Sequence, residues 1–113
     1  MWAKSAPVLA VSIAMLTFSH DENANAWARH DVGQATATLA IQATELGLQV
    51  RQISGFSPEK VRAAFDMTVG YDPVAVFALG YPGDPATLPD DLHAKEVAPR
   101  VRKPLAEFMF EGK

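Results

Sequence analysis

The chain contains no cysteine. Disulfides and thiolate chemistry are therefore excluded, and cysteine usage leaves the compartment open. It has no surplus of positive charge: 13 acidic against 10 basic residues give a formal net charge of −3 at pH 7. That balance argues against a nucleic-acid binder working through general electrostatics. No apolar run reaches the roughly 18 residues of a membrane span. There is no internal repeat, no low-complexity tract, and no P-loop, GxGxxG or Ser-His-Asp arrangement. What is present is a globular composition, 49% hydrophobic and 20% charged over 113 residues. That is material for one domain at most.

The chain is organised around Asp31 to Phe56, DVGQATATLAIQATELGLQVRQISGF. Apolar residues at Ala28, Val32, Ala35, Leu39, Ala43 and Leu46 step by three and four, which predicts a helix over 26–46. Ala37, Ala40 and Ile41 lie around the back, and no charge falls between Asp31 and Glu45. A helix apolar nearly all round is buried on most sides. In so short a chain, this predicts packing against a partner subunit as well as its own sheet. Asn25 is the expected N-cap, Asp31 an acid placed by the macrodipole, and Gly47 the left-handed stop. Gln34 and Gln42 fit a solvent edge or buried hydrogen bonds.

The start supports two readings. Lys4, the run Ala6 to Phe18 and Ala24-Asn25-Ala26 imitate a secretory signal cleaved before Trp27. The same residues also make a strand over 7–18. Ala10, Ser12, Ala14 and Thr17 are small, as on a strand face closely covered by a helix.

Further on, Leu48 to Gln52 is expected to be extended, with a turn at Ser54-Gly55-Phe56. Ser57-Pro58-Glu59-Lys60 opens a helix to about Asp66 that buries Val61, Ala64 and Phe65. Gly70 to Pro73 reads as a turn, and Val74 to Leu79 as an apolar strand covered on both faces. Gly80 to Pro99 reads as a long loop with four prolines, and Leu105 to Phe110 as a short final strand. The order is α+β. Two clear strands cannot cover such a helix and hide their own edges, so a partner chain is expected to complete the sheet.

The ordered set D-V-G-Q-A, L-x-x-Q-A-x-x-L-G-L, I-S-G-F, L-G-Y-P and P-R-V-R-K-P-L-x-E resembles the C-terminal part of the nitroreductase family of flavin-dependent oxidoreductases. The resemblance runs from Trp2 to about Phe110 and covers a little over half of the family's domain. It implies that residues 1–113 form the C-terminal portion of an FMN-dependent nitroreductase-like fold. In that fold a long buried helix lies on a small sheet, and Met1 falls in mid-domain. Trp2 to Leu9 matches the family's lead into an internal strand, which favours the strand reading of residues 7–18. The family reading carries a cytoplasmic location and an intertwined homodimer with it.

The resemblance also implies site residues. In the family, the turn at Ile53-Ser54-Gly55 resembles the place where backbone amides face the flavin ring. Ser54 and Gly55 would supply N–H groups and Ile53 an apolar contact, although members often carry Glu where this chain has Ser54. From its residues alone, the segment is a glycine turn ahead of a helix. Arg100 and Arg102 match the family's basic pair on the FMN phosphate. In an extended segment, residues i and i+2 point the same way, and two guanidinium groups can clamp a phosphate. The plain alternative is a solvated basic loop. His20, Asp21 and Glu22 lack ligand spacing, and His30 and His93 lack companions, so no metal is expected. No residue reads as an obligatory acid, base or nucleophile.

The expected function is therefore FMN-dependent transfer of hydride from NAD(P)H to a nitro compound, quinone or similar electrophile. Whether this portion alone is an enzyme stays open. The alternative is a non-catalytic, flavin-free dimerisation or interaction remnant of the same fold. A minor third reading is an exported domain starting at Trp27.

Overall fold

The computed structural model describes residues 2–112. Expectations resting on Met1, or on the side chains of Trp2 and Lys4, lie outside the described residues. The chain divides into two compact units, Met1–Pro82 and Gly83–Lys113.

The first unit carries, among the described residues, a three-stranded antiparallel sheet in the order β1-β3-β2, with β1 at Val8–Met15, β2 at Gln49–Ile53 and β3 at Tyr71–Gly80. Both outer strands run antiparallel to β3, so they run parallel to each other. The helix α1, Ala28–Glu45, joins them. β1 pairs with β3 from Val8↔Leu79 to Met15↔Tyr71. β2 pairs only with the second half of β3, from Gln49↔Gly80 to Ile53↔Val76.

The register slips between Ser12 and Ile13, where Ser12 faces Ala75 and Ile13 faces Pro73. Val74 is the extra residue of a bulge. Pro73 lies beside it and beyond the last β2 pairing, a place in a sheet that tolerates a missing N–H. The Ser12 hydroxyl secures the site. Its Oγ accepts from the Ala75 N–H and donates to the Ala75 carbonyl, both at 3.2 Å. The expected turn at Gly70–Pro73 is thus confined to its first residue. Gly70 takes φ 98°, and the strand begins at Tyr71.

Phe77 and Ala78 are both buried. Consecutive strand residues point to opposite faces, so β3 is covered on both, as its apolar run predicts. Ala14 on β1 is fully buried. The small residues of that strand do let α1 come close, and the strand reading of residues 7–18 holds over Val8–Met15.

α1 departs from expectation in three ways. First, it starts at Ala28, after an uncapped Trp27, because the Asn25 Oδ1 accepts from the Trp27 N–H and forms a turn one step earlier. Second, its buried residues are Ala28, Thr36 and Ala43, with Val32 half-buried. The packing face is rotated from the expected stripe towards Thr36, and Ala35 and Leu46 are exposed. Thr36 tolerates burial because its hydroxyl donates to the Val32 carbonyl at 2.8 Å. Third, the helix is not buried on most sides, since Ile41 is 73% and Leu46 62% exposed. One face meets a three-stranded sheet, and nothing among the described residues of the Met1–Pro82 unit covers the rest. The C-terminal stop is as read. Gly47 takes φ 74°, its N–H donates to the Thr44 carbonyl, and the Leu48 N–H donates to the Ala43 carbonyl, which is a Schellman ending.

The helix α2, Pro58–Ala64, is capped by Ser57, whose Oγ accepts from the Lys60 N–H. It buries no residue: Val61 is half-buried, Ala64 is exposed and Phe65 is 63% exposed, contrary to the expected burial of Ala64 and Phe65. In the second unit the expected loop of residues 80–99 contains a 3₁₀ turn, Pro85–Thr87, and a helix α3, Asp90–Val97. The Asp84 carboxylate starts the turn by accepting from the Ala86 N–H, and the His93 Nδ1 donates to the Pro85 carbonyl at 2.8 Å. Leu105–Glu107 is a 3₁₀ turn and not a strand: Pro104 fixes its entry, and the Phe108 N–H donates to the Leu105 carbonyl. No helix among the described residues is long and apolar enough to cross a membrane.

A Cβ built on Gly80 would meet the Pro7 Cδ at 2.9 Å and its Cγ at 3.0 Å. The proline ring is stiff and both residues sit at the β1–β3 end, so overpacking here cannot be relieved by a rotamer change. Gly80→Ala should cost about 1–3 kcal/mol in a urea unfolding experiment.

Candidate functional site

Ile53 is the last paired residue of β2, half-buried opposite Val76. The chain then leaves the ladder. The Phe56 N–H turns back onto the Ser54 carbonyl at 3.1 Å, and Ser57 at once caps α2. This tight exit leaves two consecutive amides without work: the N–H groups of Ser54 and Gly55 make no hydrogen bond within the described residues. Both residues are exposed. Gly55 is not in the left-handed region, and a Cβ there would have nothing within 4 Å. Neither backbone strain nor a neighbour within this chain requires glycine at 55. The turn offers exposed, non-titrating donors, suited to an acceptor atom whose charge changes during a reaction.

Glu59 sits beside this turn. Its carboxyl is held below its ordinary value of 4.5, first by its own backbone N–H and then by the Ser57 hydroxyl, which donates at 2.8 Å. Loss of water opposes this, and Arg62 adds to the lowering. The effect keeps a negative charge at the start of α2.

Arg100 and Arg102 lie in an exposed segment without regular structure between Pro99 and Pro104. The Arg102 Nη1 donates to the Val101 carbonyl at 3.1 Å. Arg100 makes no hydrogen bond or ion pair within the described residues. The two guanidinium groups therefore keep most of their donors free. Ile53, Ser54 and Gly55 belong to the Met1–Pro82 unit, and Arg100 and Arg102 to the Gly83–Lys113 unit.

Two features escaped the sequence. The first is an apolar groove of about 220 Å³ between α1 and the sheet, lined by Ser12, Ile13, Val32, Ala35, Thr36, Leu39 and Phe77. It contains no titratable group and marks where α1 is incompletely seated. The second is Asp72 on β3. Its Oδ2 accepts from the Arg29 Nε and a terminal Arg29 nitrogen at 2.9 and 2.7 Å, and its Oδ1 accepts from Arg62 at 3.3 Å. One carboxylate thus ties α1 and α2 to the central strand. Nothing local marks Asp72, because its partners lie 43 and 10 positions away. The His20–Asn23 loop is held by its own side chains. Asp21 accepts from the backbone and side-chain N–H groups of Asn23, and His20 reaches Asp21 at 3.2 Å.

The profile of the Nitroreductase family matches residues 2–81. The chain belongs to the nitroreductase family. It is 38% identical over 93 residues to an uncharacterized 15.4 kDa protein in the ask 5' region of Mycolicibacterium smegmatis, covering 82% of this chain and 63% of that protein. A solved structure of an oxidoreductase containing FMN is 36% identical, with a TM-score of 0.89 over 99% of this chain and 58% of its own. A nitroreductase family protein from Clostridium difficile 630 has a TM-score of 0.70 and 23% identity, covering 96% of this chain and 61% of its own, and shows the shared fold alone. The chain spans about three fifths of the length of these relatives. The α+β nitroreductase-like fold, present in part, is thereby established.

The lowered carboxyl of Glu59 sets a pH dependence with a definite sign. A group lowered by folding adds stability that is complete above its unfolded value of 4.5 and is lost as pH falls through its lower folded value. Amide exchange at Lys60, the residue capped by Ser57, should speed up relative to the sheet amides on acidification below 4.5. Glu59→Gln should abolish that acid-specific change.

Proposed function

We propose that residues 1–113 are the C-terminal, FMN-holding portion of an NAD(P)H-dependent oxidoreductase. The Ser54 and Gly55 N–H groups would serve the flavin ring, Ile53 would pack against it, and Arg100 and Arg102 would hold the phosphate. The observation that carries this reading is the pair of unspent amides at an open glycine turn. They occur in a fold shared with an oxidoreductase containing FMN. The residues present fit the cofactor chemically. Fixed N–H donors suit an atom whose charge changes on reduction, and guanidinium groups with free donors suit a phosphate.

When bound, FMN would supply hydride acceptance from NAD(P)H and electron delivery to a nitro compound, quinone or similar electrophile. The tasks left to this chain are binding and orientation. Ser54 and Gly55 donate without titrating, Ile53 excludes water from one side of the ring, and the arginines fix the anionic end. No side chain of the turn need act as acid or base. The reading places the protein in the cytoplasm as a homodimer. The exposed apolar side chains of α1, Leu39 and Leu46 along one side and Ile41 on another, are surface a second subunit would cover. The same side chains suit the second reading, a flavin-free dimerisation module.

Size-exclusion chromatography of the purified chain with added FMN separates the two. A dimer peak absorbing in the flavin band supports the oxidoreductase reading; a colourless dimer supports the module. Arg100→Ala and Arg102→Ala should each cost about 1.5–3 kcal/mol of FMN affinity, roughly ten- to hundredfold in Kd. Gly55→Ala should weaken FMN binding while leaving the urea midpoint unchanged, since a Cβ there touches nothing in the chain.

A further inference from the structure

We infer that Asp72 is a positioning residue for the Ser54–Gly55 amides, acting through Arg62 and α2. The turn is fixed on its upstream side by the ladder at Ile53↔Val76. On its downstream side it runs straight into α2, and α2 buries no residue. Its apolar hold on the sheet is limited to residues such as the half-buried Val61. The ion pair between Arg62 and Asp72 Oδ1 at 3.3 Å is the polar contact that pins this helix to β3.

Asp72 is itself held. It is less exposed than either arginine, and the two bonds from Arg29 to Oδ2 turn the carboxylate so that Oδ1 is left for Arg62. The order of dependence is therefore Arg29 to Asp72, Asp72 to Arg62, and Arg62 to the turn. The two arginines differ in what they hold. Arg62 stands on the element that follows the turn, whereas Arg29 stands on α1, which does not adjoin it. An ion pair that only added global stability would make the loss of Arg29, with its two shorter bonds, the more damaging one everywhere. A positioning role reverses that order at the turn.

The role in orienting a flavin rests on the function proposed above; the role in ordering the amides does not. The test is amide exchange in the cofactor-free full chain, followed by the absorbance spectrum and midpoint potential with FMN added. Arg62→Gln should speed exchange at Phe56 and Lys60, the hydrogen-bonded amides that close the turn and open α2, by about threefold to fivefold, as expected when a partly exposed ion pair holding a local segment is lost. It should leave Phe77 and Ala78 on β3 unchanged. Arg62→Lys should restore most of the protection, and Arg29→Gln should produce a smaller change at the turn. With FMN, Arg62→Gln should shift the flavin band and potential more than Arg29→Gln does.

Unchanged exchange at Phe56 and Lys60 in Arg62→Gln overturns the inference. So does an equal increase at the turn and at β3, because that is global loosening. Absence of FMN binding by the unsubstituted chain, with the exchange contrast intact, sinks the flavin reading and leaves the positioning role standing.

Discussion

The Met1–Pro82 unit depends on β3. It is the strand through which the other two are joined, because β1 and β2 never pair with each other. Its two faces carry the buried Phe77 and Ala78, its first residues carry Asp72, and its last carries the close contact of Gly80 with Pro7. The bulge at Val74 divides its labour. Before the bulge β3 pairs with β1 alone and holds both arginines; after it, β3 pairs on both sides and fixes the end of β2. The position of the candidate amides is thus set twice from one strand, once by hydrogen bonds through Ile53↔Val76 and once by charge through Asp72.

Much of this was legible in the residues. The strand at Val8–Met15 showed itself in an apolar run interleaved with Ala10, Ser12 and Ala14, because only small residues let a helix sit close. Gly47 and Ser57-Pro58 marked their helix ends because backbone geometry leaves few alternatives there. The turn at Ser54-Gly55 was visible as a glycine after an extended run. That its two amides lack partners was not visible, since it follows from where the ladder stops. The helical stripe was misread by part of a turn because Thr36 looks polar in sequence. It becomes buriable only when its hydroxyl bonds one turn back. Asp72 was hidden inside an ordinary turn-like string, since both its partners are distant in sequence. The 3₁₀ turn at Pro85–Thr87 and α3 were lost among four prolines, two of which, Pro85 and Pro89, here begin short helical pieces instead of preventing them.

The candidate site has an unusual division of chemistry. On the function proposed above, its Ile53-Ser54-Gly55 part would work by backbone, so its geometry would survive many side-chain changes. Its Arg100 and Arg102 part would work by side chains, which a substitution removes. The two parts sit in different compact units, so they answer to different folding constraints, the first to the ladder and the second to a proline-bounded segment.

The central strand is also the last of the three to leave the ribosome. While residues 8–70 are being made, β1 lacks its β3 partner, and Leu9, Val11, Ile13 and Met15 wait beside a helix whose sheet is not yet assembled. β2 waits likewise. Only when Gly80 clears the exit tunnel can both ladders close, in one event that joins distant parts of the chain. During synthesis this protein therefore passes through a long interval as a helix flanked by two unpaired, apolar strands. A nascent chain released before Tyr71 lacks the strand that both ladders of this sheet require, and is a natural client for chaperones and proteases.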